Sequence, residues 1–307
     1  MDGVLVIDKP QGLTSHDVVV AARRLLGESR IGHTGTLDPL ATGVLPMAIG
    51  RATRLVKFLA SSDKEYEATI RFGLTTDSFD VTGTETSRTD AVPGRDEVVR
   101  TLRTLTGEYL QTPPAYSAKK VQGRRAYQLA REAQVVTLTP VPVRVDRADL
   151  LAFTGARARV ALTCSAGFYV RSFANTVGEL VGTGACLETL RRTRAGEFGL
   201  EAAISMDEIH DGSRVASKLV PLAALLGRFP AVTITDQGRE DVAHGREIGP
   251  DVYVAGPAVP PDERQDRPGP GQAGQAWVRL LDSDGALVGV ATAGRRPDSL
   301  HPSLVLI

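Results

Sequence analysis

Four consecutive apolar residues, Val4-Leu5-Val6-Ile7, halted by Lys9-Pro10-Gln11-Gly12, predict a short buried strand near the start of the chain. A helix follows. Val18, Val19, Ala22, Leu25 and Leu26 recur at helical spacing, Ser15 stands where a cap is needed, and Gly27 where a terminator is needed. Arg51 to Leu59 also reads as helical. From Lys64 to Leu74 the pattern changes to strict alternation. Tyr66, Ala68, Ile70, Phe72 and Leu74 share one face, with Glu65, Glu67, Thr69 and Arg71 on the other, as in a strand with one buried side. A Thr-rich acidic segment leads to a helix predicted from about Arg95 to Leu105, ended by Gly107. Arg157 to Cys164 alternates again. Gly167 then breaks the chain before a helix around Phe173 to Val181, closed by Gly182. Strands interspersed with helices, without a βαβ rhythm, predict an α+β fold.

The pattern shifts after Pro230. One short helical segment is predicted near Gln237 to His244. Gly256 to Gln275 is rich in Gly, Pro and charge and reads as a mobile loop. Ala276 to Leu281, a turn at 282–285, and Leu287 to Val290 form a hairpin signal, and Ser303 to Ile307 reads as a final strand. The expected organisation is a large domain over 1–228 and a small β-barrel-like domain over 229–307. No internal repeat is visible.

Composition narrows the class. The apolar fraction of 42% and charged fraction of 23% are those of an ordinary globular protein. No apolar run approaches the length of a membrane span. The two cysteines, Cys164 and Cys186, lack a metal-type spacing and read as reduced core residues, which fits a cytoplasmic protein. Formal net charge is zero, but it is unevenly spread. Between Thr112 and Val145 six basic residues (Lys119, Lys120, Arg124, Arg125, Arg131, Arg144) face one acid, Glu132, while 77–97 and 236–267 lean acidic. Such asymmetry fits a polyanion partner or, equally, a solvated basic loop.

The segment with most chemical content is Gly32-His33-Thr34-Gly35-Thr36-Leu37-Asp38-Pro39-Leu40-Ala41-Thr42-Gly43. Three glycines and a proline exclude a regular helix or strand interior and favour a stiff loop. Such a loop can hold one carboxylate in a fixed orientation. An Asp with a free pKa of about 3.9 is ionised at neutral pH and is able to act as a nucleophile or to stabilise a cation. Alone, an Asp beside a Pro ordinarily makes a turn. No Gly-Lys-Ser/Thr follows, so the segment is not a phosphate-binding loop. His33 has no second ligand at metal spacing, so no metal is expected.

The whole segment closely resembles the signature G-H-T-G-x-L-D-P of the TruB family of tRNA pseudouridine synthases. The resemblance is dense from residue 4 to about 200. It implies a mixed, largely antiparallel central sheet flanked by helices, a thumb insertion over 112–145, and a PUA-like RNA-binding domain at the end. It implies Asp38 as the essential catalytic residue. Arg171, in Gly167-Phe168-Tyr169-Val170-Arg171, matches the arginine that pairs with it. Tyr66, in Lys64-Glu65-Tyr66, matches a tyrosine that packs on the target base and is a candidate for proton removal; by periodicity alone such a residue is more often a core aromatic than a catalyst. Tyr169 and Leu190 match walls of the uracil pocket, and His33 a group that fills the gap left by an extruded nucleotide. Lys9, in Asp8-Lys9-Pro10, supports the loop or binds a backbone phosphate. Lys119, Lys120 and Arg124 would neutralise tRNA phosphates. Tyr116 and Tyr127 stack on bases or pack beneath the thumb.

The implied reaction is isomerisation of uridine 55 in the T loop of tRNA, acting on a flipped base and needing no cofactor. Asp38 would assist departure of uracil by capture of C1′, by attack on the ring, or through a glycal. Three other readings compete. A guide-dependent synthase of the dyskerin-like branch would lack the thumb. An RNA-folding module would not need Asp38, although chaperone activity can coexist with catalysis. An Asp-nucleophile hydrolase would need a second acid, and no paired carboxylate stands out. No obligate protein partner is expected, and a monomer is the default.

Overall fold

A computed structural model describes residues 1–117, 120–121, 124–125, 138–255 and 276–307. The strands begin with β1 (Gly3–Lys9), β2 (Ile31–His33), β3 (Thr42–Ile49), β4 (Lys64–Phe72), β5 (Leu74–Thr76) and β6 (Glu85–Arg88). Next come β7 (Gly107–Gln111), β8 (Lys120–Val121), β9 (Arg124–Arg125), β10 (Val141–Phe153), β11 (Arg157–Cys164) and β12 (Ala185–Ala195). The short β13 (Phe198–Gly199), β14 (Ala203–Ile204) and β15 (Val220–Pro221) follow. The last are β16 (Ala231–Ile234), β17 (Tyr253–Ala255), β18 (Val278–Leu281), β19 (Leu287–Ala293) and β20 (Leu300–Val305). Described helices are α1 (Ser15–Leu26), α2 (Val56–Ala60), α3 (Arg95–Thr104), α4 (Val170–Leu180), α5 (Gly212–Lys218) and α6 (Asp236–Ala243).

Eleven strands make one sheet, with β14-β1-β3-β12-β4-β11-β10-β7 as its path. It is mixed and largely antiparallel, with β1–β14 and β3–β12 as the parallel pairs. The apolar patterns follow from what covers each face. Leu5 and Ile7 of β1, with Leu45, Met47 and Ile49 of β3, join a core under α1, α3 and α4. Val4, Val6, Val44 and Ala48 face the opposite way, into a second core that includes Leu287, Leu304 and Leu306. Strands buried on both faces have no polar side, so they read as continuous apolar runs. β4 alternates because only its Tyr66, Ala68, Ile70 and Phe72 face lies in a core.

The second core joins the large sheet to the five-stranded sheet β17-β16-β18-β19-β20, which α6 packs against. At the seam Phe58 meets Trp277 edge-on at 4.9 Å and Phe229 at 5.9 Å, and Arg51 Nη1 donates to the Leu306 carbonyl. Burying each fully enclosed Val of this seam contributes roughly 1.5–3 kcal/mol.

Several local expectations need correction. Thr14, not Ser15, caps α1. The Thr14 hydroxyl accepts from Asp17 N, and the Asp17 carboxylate accepts from Thr14 N. Ser15 is buried and serves elsewhere. The 51–59 segment is a 3₁₀ helix over Gly50–Leu55 running into α2. The alternation to Leu74 is interrupted at Gly73, whose φ of 77° no branched residue tolerates and where a Cβ would lie 2.4 Å from Thr89 O. α4 starts at Val170, placing Arg171 in its first turn. The last strand ends at Val305, before Ile307. Gly256–Gln275, and Lys119, Tyr127 and Arg131 of the basic segment, lie outside the described residues. Lys120 and Arg124 sit in the two-stranded pair β8–β9.

Candidate active site

The Gly32–Gly43 segment connects β2 to β3, and several of its backbone groups are tied to neighbouring chain. Thr34 N donates to Pro46 O (3.1 Å), Gly12 N to Pro39 O (2.8 Å) and Ala41 N to Asp38 O (3.0 Å). The buried Ser15 hydroxyl accepts from Leu37 N and donates to Leu37 O. A loop with its polar groups so paired has little freedom to rearrange. Gly43 must be glycine: its φ is 98°, and a Cβ would lie 2.2 Å from the Arg192 carbonyl oxygen.

Asp38 projects from this loop with its side chain 38% exposed, toward Arg171, which is 6% exposed. Arg171 Nε lies 2.8 Å from Asp38 Oδ2, and Nη2 donates to Oδ1 at 3.3 Å. A cation in the first turn of a helix opposes the helix dipole, so this arginine needs anions nearby. It has two. Besides Asp38, the buried Asp80 carboxylate stands 3.8 Å from Nε. The guanidinium is completed by Nη1 donating to Ser78 O (3.0 Å) and Nη2 to Tyr116 O (2.8 Å). Asp80 is itself oriented by Ser78 Oγ and by Thr82, both donating to Oδ1. The turn carrying it is pinned to β12 through Val81 N→Leu187 O and Leu187 N→Phe79 O. Phe79 in that turn has φ 63°, a costly conformation for a bulky residue, and one that clusters at functional sites. Asp80 and its turn had no local signal in the sequence beyond an acidic, Thr-rich composition.

Tyr66 is buried on β4, where burial raises its phenol pKa and the Arg192 charge opposes that rise. Tyr169 is half-buried at the entrance of α4, its phenol pKa also raised by burial. Both phenols lie within electrostatic reach of Asp38. Gln111 of β7 holds Tyr169 by its backbone, accepting from Tyr169 N and donating to Tyr169 O. Leu190 is buried on β12 opposite Ala68. With Leu40, Thr42 and Arg191 it lines a hollow of about 220 Å³. That hollow adjoins the loop at Leu40; Asp38, Tyr66 and Arg171 do not line it. His33 is half-buried, and burial, then Arg192 and His16, push its pKa down toward the neutral ring; its Nδ1 is buried and unpartnered.

Lys9 requires a correction. It is fully buried, and its Nζ donates to Pro10 O (2.8 Å) and Leu13 O (2.6 Å). Burial lowers its pKa to about 8, against the raising effect of Asp38. An ammonium turned inward onto two carbonyls cannot reach a backbone phosphate, so Lys9 supports the adjoining chain. Lys119 lies outside the described residues, and Lys120 and Arg124 are placed by their backbone in β8 and β9. Among the described residues no three His, Cys, Asp or Glu side chains gather to hold a metal, and no helix is long and apolar enough to cross a membrane.

Comparison with known proteins gives a consistent result. Residues 23–170 match the family model described as TruB family pseudouridylate synthase (N terminal domain). The tRNA pseudouridine synthase B of Solibacter usitatus (strain Ellin6076) is 39% identical over 310 residues, covering 100% of both chains. That of Mycobacterium sp. (strain KMS) is 45% identical over 262 residues, covering 82% of this chain and 88% of that one. The chain also shares its fold with a protein in the crystal structure of a Cbf5-Nop10-Gar1 complex, with a TM-score of 0.73 and 24% identity, covering 99% of this chain and 85% of that one. With full-length likeness to such relatives, and the Asp38 loop set against Arg171, this chain belongs to the TruB family of pseudouridylate synthases.

Proposed function

We propose that this protein isomerises uridine to pseudouridine at position 55 in the T loop of tRNA. The observation that carries the reading is the Asp38–Arg171 contact, 2.8 Å from Nε to Oδ2, with the carboxylate still open to solvent and the guanidinium buried behind it. A carboxylate held by one hydrogen bond and one close ion contact to a buried guanidinium is preorganised to meet a developing cation at the ribose, or to attack it, as the bond from N1 to C1′ breaks. Asp38 assists departure of uracil, and Arg171 and Asp80 keep its oxygens in place. Tyr66 and Tyr169 hold the detached ring, and Tyr66 takes the C5 proton. Leu190 walls the pocket, and the neutral His33 fills the space of the extruded nucleotide. Flipping that nucleotide costs roughly a few kcal/mol, offset by contacts in the pocket. Residues 1–228 form the catalytic unit, with the 112–145 thumb, including Lys119, Lys120 and Arg124, over the T arm. Residues 229–307 add RNA contacts as a PUA-like domain. The protein acts as a cytoplasmic monomer without an obligate protein partner.

The test is release of tritium from tRNA transcript carrying 5-tritiated uridine, with the purified protein alone. Asp38→Asn keeps shape and removes charge, so release should fall by at least roughly a thousandfold. Near wild-type release by Asp38→Asn would remove Asp38 from the mechanism. Inactivity of the wild type on naked transcript would instead point to a guided enzyme.

A further inference from the structure

Arg192 is among the largest fully buried side chains in the protein, at 1% exposure. Its Nε donates to Val44 O (2.7 Å) and its Nη2 to Gly35 O (3.1 Å). One guanidinium therefore joins the two ends of the loop that carries Asp38. Among the described residues no carboxylate forms an ion pair with it, in contrast to Arg171 with its two. A guanidinium buried on carbonyls alone keeps an uncompensated positive charge, which is costly unless an anion arises beside it.

The register shows where that charge falls. β12 lies between β3 and β4, and Arg192 stands opposite Gly43 on one side and Tyr66 on the other. Residues directly opposite in an antiparallel pair point to the same face, with Cβ atoms about 4.5–5.5 Å apart. The Arg192 charge, placed opposite Tyr66 by this register, favours the ionised form of its phenol.

We infer that Arg192 is a positioning residue that holds Tyr66 as a phenolate while the C5 proton of uracil is transferred. This rests on the proposed role of Tyr66. Pseudouridine carries a proton on N1 and none on C5, so one proton moves between them. Tyr66 gives its O–H proton to the N1 lone pair of the detached uracil anion. The phenolate then takes the C5 proton once C5 has bonded to C1′. The C5–H electron pair returns to the ring, and the phenol is restored with nothing oxidised or reduced. Between the two transfers a phenolate stands in a buried site, and Arg192 is the cation there without a prior counterion.

Tyr66 is faced by Arg192 from β12, Cys164 from β11 and Asp38 from the loop. Burial and, more weakly, the Asp38 charge disfavour its ionisation, and Arg192 favours it. Burial and then Arg192 bring the Lys64 pKa down to about 8 and push His33 toward its neutral ring, while the cation that acts on Tyr66 is Arg192.

The test compares wild type, Arg192→Lys, Arg192→Gln and Tyr66→Phe on transcript carrying uridine or 5-deuterouridine. In the Arg192 variants kcat should fall about 100-fold at unchanged KM, and the C5 deuterium isotope effect should rise above that of wild type as proton removal becomes slow. Placing 3-fluorotyrosine at 66, whose phenol ionises more readily, should recover about tenfold of the Arg192→Lys rate. Loop packing alone would give neither signature. A lower kcat with the wild-type isotope effect and no fluorotyrosine rescue overturns the inference. Wild-type turnover by Tyr66→Phe overturns it too, leaving pseudouridine formation intact; an inactive wild type overturns both. Should Arg192→Gln fail to fold, Arg192→Lys with and without fluorotyrosine decides by the same criteria.

Discussion

Replacing Arg171 by lysine keeps the charge beside Asp38 and removes the planar group that contacts it while holding two carbonyls. The guanidinium faces both Asp38 oxygens, at 2.8 and 3.3 Å, while holding Ser78 O and Tyr116 O at 3.0 and 2.8 Å. An ammonium group donates from one point. If it reaches Asp38, the carbonyl of Ser78 or of Tyr116 is left without its donor, and Asp80 faces a more distant cation. A hydrogen bond to a charged group contributes about 1.5–3 kcal/mol, and an unsatisfied buried carbonyl costs about 1–3 kcal/mol. The carbonyl loss belongs to folding and should lower unfolding stability by about 2 kcal/mol. The loss of a fixed carboxylate belongs to the transition state. At about 2.7 kcal/mol it lowers turnover about 100-fold. Single-turnover tritium release measures the second quantity and urea unfolding the first. tRNA affinity should hardly change, because a side chain 6% exposed cannot serve a backbone phosphate. Folded Arg171→Lys with turnover within about threefold of wild type would show that a guanidinium fixed beside Asp38 is not what the site requires.

Two further outcomes follow from the same geometry. Asp80→Asn keeps an acceptor for Ser78 and Thr82 but removes the negative charge 3.8 Å from Arg171 Nε. Turnover should fall roughly tenfold or more with stability changed by less than about 1 kcal/mol, and full activity would confine Asp80 to shaping its turn. Lys64, buried with its Nζ on Ala60 O and Ser62 O, has its pKa brought down by burial to about 8. The unfolded chain therefore holds more protons there between pH 8 and about 10.4, and the wild type gains stability from this site as pH rises through that window. Relative to wild type, Lys64→Met should lose about 3 kcal/mol of advantage between pH 7 and 10.5; a pH-independent difference in urea unfolding would refute this.

Local pattern carried a good deal of the fold. Alternation placed β4 and β11, Gly27 and Gly167 marked chain breaks, and the apolar run of β1 marked a buried strand, whereas β3, interrupted by Pro46, was not read from its pattern. Boundaries failed where a tertiary partner won. Ser15 looked like a cap, yet its hydroxyl is committed to Leu37, twenty-two positions away, and Thr14 caps instead. Lys9 looked available to a phosphate, yet the turn after β1 folds its carbonyls onto the amine. Arg192 had a usable signal, since it lies two positions from Leu190 on an alternating strand and so shares its inward face.

What the amino-acid order determined by itself is the stiffness of the Gly32–Gly43 loop and the presence of one ionised acid within it, because Gly and Pro restrict the backbone locally. What only the folded chain decided is which cation meets that acid and which stands apart. Asp38 and Arg171 are 133 positions apart, and Arg192 reaches Gly35 across 157. Which arginine acquires two carboxylates, and which is buried with none, depends on strand order and register, and these are set by the burial of whole faces rather than by any residue's neighbours in the chain.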